Sequence, residues 1–289
     1  MKRVLLIVSI CACLLLGAVS CSKTNEIKAG QRIVVLSPEV AEIVATLGGT
    51  DLLVGITEEC DYPPELGKVP KIGKFGAIKR EAILALKPDL VFTSALEQEA
   101  LAQELSKLGL KVEQIYPKKL NDLPLSITRI GNLIGKSAEA DVLARSIELS
   151  IRAMRSQTAG VKRPKVYLEI YRDPLMSASD SSFVGEVIET AGGDNIFSVL
   201  ERDYARVDPE DVVASRPDII ICYSQDTLAN ILARKGWQDL PAIRDKRVYF
   251  EKDIDPDWIL RATPRTILGL QKLRELFQPS GQETASPDR

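Results

Sequence analysis

The 289-residue chain contains no histidine. That removes at once the commonest general base and the commonest metal ligand. Aromatic residues make up 5% of the chain, so any aromatic wall of a binding surface must come from a small set. Charge of one sign is also lacking. The balance is 38 basic against 40 acidic residues, net −2, and nucleic acid is not expected as a partner. There is no Gly-x-Ser-x-Gly, no phosphate loop and no Gly-x-Gly-x-x-Gly after a strand-like run, so an α/β enzyme finds little support. Asp253, Asp255 and Asp257 alternate, but Pro256 and Trp258 interrupt them and no further acid follows at loop spacing. No metal site is expected there. Five cysteines are present. Two of them, Cys11 and Cys13, lie in the apolar N-terminus, and Cys60 and Cys222 fall one in each half. Those two are expected to be unpaired, Cys222 as a buried strand residue.

What is present begins with a targeting segment. Lys2 and Arg3 precede the apolar run VLLIVSICACLLLGAV, which is long enough for a signal and short for a membrane span. It ends in Ala18-Val19-Ser20-Cys21. Small residues before a cysteine resemble a bacterial lipoprotein cleavage site, with Cys21 as the lipidated first residue. Ala18 and Ser20 also fit ordinary signal cleavage. The reading taken is a signal peptide over 1–20 and a polar tether over 21–31. The protein is then exported and anchored by lipid, facing the periplasm or the cell exterior.

Strand-like and helix-like runs alternate after Arg32. The apolar run 32–36 is followed by helical spacing over 38–49 and a second run at 52–56. A Pro- and Gly-rich loop spans 60–76. Helix 80–86, a strand, helix 95–109 and strand 110–116 complete a first α/β lobe over 32–136. Residues 123–157 keep helical periodicity with a turn near Gly135, and a linker helix is assigned to 137–160. Alternation resumes in a second lobe over 161–277. Its strands are expected at 165–170, 218–223 and 247–251, and its helices at 181–193, 209–215, 226–234 and 264–277. Residues 278–289 are polar and expected to be disordered. The fold class is α/β, two Rossmann-like lobes with mostly parallel sheets joined by one long α-helix.

Two segments nearly repeat one another, EAILALKPDLVF from Glu81 and EDVVASRPDIII from Glu210. In each, Pro-Asp follows the glutamate at the same offset and an apolar strand-like run comes next. An acid in the first turn of a helix is favoured by the helix dipole, which accounts for one glutamate better than for a matched pair.

At this point the chain resembles the bacterial importer-associated binding proteins that capture cobalamin, ferric siderophores and haem. The resemblance runs from Arg32 to Phe277. It is carried by RIVVLSPEVAEIVATLG, GITEECDYPPE, REAILALKPDLV, ETAGGDNIF, EDVVASRPDIII and DWILRATPRTILG in that order. It implies the class III binding-protein fold, with ligand held between the lobes. The implied partners are an ABC permease dimer with its ATPase subunits, onto whose arginines Glu81 and Glu210 dock. It further implies a monomer with no intrinsic cofactor.

Within that family the cobalamin-binding branch is most similar. Leu36-Ser37-Pro38, Asp61 to Pro64, and Asp257 four residues before Arg261 match its pattern. The resemblance makes Pro38, Phe75, Met176, Tyr204, Asp257, Trp258 and Arg261 candidate contacts to a corrinoid. Apolar and aromatic groups suit the face of a corrin, and the charged pair suits its rim of amides. The sequence departs from the pattern at Glu59, where an aromatic residue is usual. Haem held by Tyr171 or Tyr223 and a ferric siderophore remain as alternative ligands, and an exported α/β enzyme as an alternative of another class.

Overall fold

The computed structural model describes residues 30–94 and 98–278. The expected signal segment, Cys21, most of the tether, residues 95–97 and the tail from 279 lie outside the described residues. The architecture below is that of the body from Gln31 onward.

The first lobe runs β1 (Ile33–Val35), α1 (Pro38–Thr46), β2 (Leu53–Ile56), β3 (Gly73–Lys74), β4 (Ala77–Ile78), α2 (Arg80–Ala85), β5 (Leu90–Thr93), α3 (Glu99–Lys107) and β6 (Val112–Gln114). Its four main strands lie parallel in the order β2-β1-β5-β6. Every residue of β1 and β5 is buried. Central strands covered on both faces read as unbroken apolar runs for that reason. Helix α1 starts where Ser37 Oγ accepts the Val40 N–H at 3.4 Å. Pro38, at the first helical position, has no N–H left to satisfy.

Two helices then pack as a pair, α4 (Asp122–Ile134) and α5 (Ser137–Thr158). The chain turns between them at Gly135, whose φ of +78° belongs to the left-handed region that glycine enters freely. A Cβ on Gly131 would lie 2.2 Å from that of Ala140, so the pair closes backbone on backbone. Ala140, Ala144, Ile147, Ile151, Met154 and Thr158 form the buried stripe of α5, spaced three or four residues apart as one helix face requires.

The second lobe holds β7 (Lys165–Glu169), β8 (Tyr171–Arg172), β9 (Leu175–Ala178), α6 (Phe183–Thr190), β10 (Asp194–Asn195), β11 (Tyr204–Arg206), α7 (Pro209–Ser215), β12 (Ile219–Cys222), α8 (Leu228–Ala233), α9 (Pro241–Arg244), β13 (Val248–Phe250), α10 (Asp257–Leu260) and α11 (Thr266–Phe277). Its parallel sheet has the order β10-β7-β12-β13. Strand for strand, this repeats the first lobe. A separate antiparallel sheet, β11-β9-β8, was not anticipated, because strands of two to four residues are too short to display alternation. Cys60 and Cys222 are free and buried.

The repeated segments occupy equivalent places. Each forms a short helix, α2 or α7, leading into β5 or β12, the strand next to the first strand of its lobe. Asp89 Oδ2 accepts the backbone N–H of Arg32 at 2.8 Å, and Asp218 Oδ2 accepts that of Lys165, also at 2.8 Å. The side chains of Arg32 and Lys165 then donate to Leu86 O and Ser215 O, the ends of the two helices. Lys87 and Arg216, each directly before the proline, have φ of 47° and 51°. Pro-Asp is therefore a clamp that fastens the helix end and the start of the first strand in both lobes.

The lobes meet in part through a buried ion pair. Arg265 Nε and Nη2 donate to Glu42 on α1 at 2.9 and 2.7 Å, with side chains 11% and 1% exposed. The same guanidinium lies 3.9 Å from the centroid of the Tyr62 ring. Arg265→Ala would strand the Glu42 carboxylate, and the expected cost is about 3–5 kcal/mol. Arg265→Met with Glu42→Leu should recover most of that loss, since an apolar pair replaces both charges. Urea denaturation of the three proteins is the measurement, and a single variant within about 1 kcal/mol of the parent would show that the pair carries little.

Candidate ligand-binding cleft

Both lobes bring the carboxyl ends of their strands toward the space between them, where open α/β sheets usually bind ligands. Glu39, Ser94, Tyr116 and Lys118 line this cleft from the first lobe, and Phe183, Tyr204, Leu260 and others from the second. The remaining space is ≈ 40 Å³. Small-molecule sites usually hold about 300–1,000 Å³, so the space enclosed by these residues is by itself too small for such a ligand. The buried amide of Gln98 organises its first-lobe side. Its Oε1 accepts the Ser94 N–H at 2.8 Å, and its Nε2 donates to Leu36 O at 2.7 Å.

Tyr204 lies on β11 and is 36% exposed. Burial first, then the neighbouring Tyr116 and Asp203, push its phenol above the ordinary value. Asp257 and Arg261 pair at 2.9 Å across one turn. Arg261 Nη1 also reaches into the first lobe, to Asp61 Oδ1 at 3.1 Å. Burial pushes the Asp257 carboxyl up, against the pull of Arg261. Pro38 opens α1 and is buried beside Glu39. Phe75 and Met176 are half-buried and do not border the closed space. Met176 sits on β9 opposite Tyr171 and Arg206. Trp258 is half-buried, and its carbonyl presses against Gly269 of α11, 2.4 Å from where a Cβ would stand. Glu59 has a definite task here. Its carboxylate accepts the Phe75 N–H at 2.9 Å and pins the β3–β4 turn. Tyr171 is exposed, while Tyr223 is buried in the core with its hydroxyl unpartnered among the described residues.

Sequence reasoning missed Glu42, Asp61, Tyr62, Gln98 and Arg265. Two signals were available. Glu42 is a lone acid on the apolar face of α1, between Ala41 and Ile43, and a buried carboxylate needs a partner. Arg265 repeats Arg261 four residues later. Gln98 left no signal.

Glu81 and Glu210 are exposed in the first turns of α2 and α7. They are not equivalent electrostatically. Arg80 Nε pairs with Glu81 at 3.0 Å and also approaches Glu104 at 3.5 Å. Glu81's own backbone N–H, then Arg80, hold its carboxyl below the ordinary value. Glu210 has no ion pair among the described residues and borders a groove of ≈ 710 Å³ with Arg172, Lys235 and Trp237. A further cavity of ≈ 490 Å³ lies at the ends of β12 and β13. Both are larger than the space beside Glu39 and Tyr204, but each is lined by the second lobe alone. Beneath them a buried network ties Arg234 to Glu169 at 2.5 and 2.8 Å and to Asp226 at 2.7 Å. Among the described residues no cluster of acids and cysteines is arranged to hold a metal ion, and no helix is long and apolar enough to cross a membrane.

The family described as periplasmic binding protein matches residues 33–255. The vitamin B12-binding protein of Vibrio parahaemolyticus is 27% identical over 270 residues, 92% of this chain and 96% of its own. An ABC transporter substrate-binding lipoprotein of Bacillus subtilis, itself uncharacterized, is 28% identical over 260 residues, 87% of this chain and 81% of its own. Among solved structures, the periplasmic heme-binding protein RhuT from Roseiflexus superposes with a TM-score of 0.75 at 26% identity, covering 86% of this chain and 100% of its own. The two lobes, the connecting long helix and the family match agree, and the chain belongs to the periplasmic binding protein family: it is a binding protein, not an enzyme.

Proposed function

We propose that this protein is the corrinoid-binding lipoprotein of an ABC importer. It captures a cobalamin-like ligand between lobes 32–136 and 161–277, which residues 137–160 join, and hands it to a permease dimer driven by ATPase subunits. Lipid on Cys21 tethers the exported chain, which acts as a monomer. The ligand contacts are Pro38, Phe75, Met176, Tyr204, Asp257, Trp258 and Arg261. The observation that carries this reading is convergence on the cleft. Tyr204 and Leu260 line it, and Arg261 follows Leu260 and reaches across to Asp61. The vitamin B12-binding relative, similar over nearly the whole chain, supports the choice of ligand. The ≈ 40 Å³ space at Tyr204 admits no corrin by itself, so the ligand is held by a wider part of the cleft that includes Phe75, Met176 and Trp258. Haem is the second reading, favoured by the likeness to RhuT, with exposed Tyr171 in better reach than buried Tyr223.

Cyanocobalamin at a hundredfold excess over its Kd should stabilise the fold by about 2.7 kcal/mol, read as a melting shift. Arg261→Ala and Tyr204→Ala should each weaken binding by about 1–3 kcal/mol. If haemin raises the melt and cyanocobalamin does not, the corrinoid reading falls.

Glu81 and Glu210 dock onto permease arginines. Glu210→Arg should cut reconstituted uptake by about tenfold, the loss of one partly desolvated interface pair. Glu81→Arg should cut it less, because Arg80 already shares that carboxylate. Ligand affinity and melting temperature should stay unchanged in both. Uptake unaffected by either reversal, or ligand binding lost with it, removes the docking role.

A further inference from the structure

The polar contacts that bridge the lobes differ in how firmly they are held. Leu120 N–H donates to Glu186 Oε2 at 2.7 Å, and Lys119 Nζ to Asp180 O at 2.6 Å. Arg265 grips Glu42 through two short bonds, both partners almost wholly buried. The Arg261–Asp61 contact is unlike these. It is one bond of 3.1 Å, and the Asp61 side chain is 62% exposed. A single exposed ion pair is weak, whereas a buried, doubly bonded one is costly to break.

Asp61 is nevertheless held in place. Its neighbour Tyr62 lies under the Arg265 guanidinium, which presents the 61–62 loop to the second lobe. Arg261 keeps Asp257 on its own helix whether or not Asp61 stays. Asp61 is therefore the one partner of Arg261 that can leave without disturbing the rest.

Charge gives the contact a second consequence. Four carboxylates, Glu42, Asp61, Asp255 and Asp257, surround Arg261 and Arg265. Four negative against two positive charges leave the cluster at −2. The cleft lining adds Glu39 and Asp203 against Lys118, which deepens the excess. An incoming anion meets net negative charge, while a neutral acceptor such as an amide takes a guanidinium N–H without repulsion.

We propose that Asp61 is a specificity-determining residue. It occupies Arg261 in the empty protein, yields that guanidinium to a neutral hydrogen-bond acceptor on the ligand, and by its charge selects against anionic ligands. The inference rests on the proposed role of Arg261 as a ligand contact, and it refines that role by naming the class of group received, an uncharged amide rim in preference to carboxylates.

Two measurements on the mature protein test it. In the first, no ligand is present. Phenylglyoxal modifies accessible arginines, and the rate at Arg261 is followed by peptide mass spectrometry. Asp61→Asn should raise that rate about two- to fivefold, the range that exposed pairs span, with the rate at Arg265 unchanged. An unchanged rate at Arg261 refutes the shielding contact. In the second, haemin, which carries two propionates, its uncharged dimethyl ester and cyanocobalamin are titrated into both proteins. Asp61→Asn should improve haemin binding at least threefold relative to cyanocobalamin and leave the ester where it was. The gain should shrink in high salt, where exposed charges are screened. Equal changes for haemin and its ester overturn the charge selection. If the parent protein binds none of the three, the ligand reading and the charge selection both fail, while the labelling rates still decide the Arg261–Asp61 contact.

Discussion

The burial of Arg265 against Glu42 is the contact on which the two-lobed arrangement depends. A guanidinium and a carboxylate are expensive to remove from water singly. Each is tolerated here because the other lies within 2.7–2.9 Å in a paired geometry. The partners are 223 positions apart in sequence, one on α1 near the start and one leading into α11 near the end. Among the described residues Glu42 has no other ion-pair partner, whereas Arg265 also lies 3.7 Å from Asp255 and Asp257 of its own lobe. The pair therefore fixes the distance between α1 and the segment leading into α11. A continuous apolar core reinforces it, running from α1 through α4 and α5 to α6 and α11. Relative motion of the lobes has to work against both.

The division of labour in the repeated segment follows from the same economy of charge. Its aspartate is consumed by structure in both lobes, since Asp89 and Asp218 each satisfy a strand N–H that would otherwise lack a partner. Its proline ends the helix and sets up the strand. The glutamate faces water in both copies. Identical chemistry in the buried parts and retained charge in the exposed part is what two lobes need if each is to fold alike and also present a similar surface outward. The two surfaces differ. Glu81 shares its charge with Arg80, while Glu210 keeps its own beside a groove.

Most of the fold was legible in the sequence because its signals are local. Helix 209–215 was read at its observed limits, and the central strands declared themselves as unbroken apolar runs, as in Ile219–Cys222. The antiparallel sheet was not legible, since pairing of Tyr204 with Ala178 is a contact between distant two- to four-residue pieces. The cleft was half legible. Asp257 and Arg261 stand one turn apart, and spacing finds such pairs. Asp61 lies 200 positions from Arg261, and no periodicity links them. Glu59 read as an oddity in an aromatic position, and only the three-dimensional arrangement shows its carboxylate bound to the Phe75 N–H.

The contacts that bridge the lobes are not equally firm. Glu42–Arg265 is almost wholly buried, and breaking it is costly. The contact at Asp61, whose side chain is 62% exposed, is one bond of 3.1 Å and rearranges at smaller cost. On the proposed role of Arg261, a parting of the lobes that keeps the former and releases the latter would free one guanidinium at the mouth. The electrostatics of the mouth then act before any close packing does, because excess negative charge is felt over roughly 8–10 Å at ordinary salt. Shape alone would admit any broad planar ligand that fits between the lobes. If Asp61 has the role proposed for it, its charge, on a loop whose Tyr62 lies under Arg265, adds a second criterion that shape cannot supply.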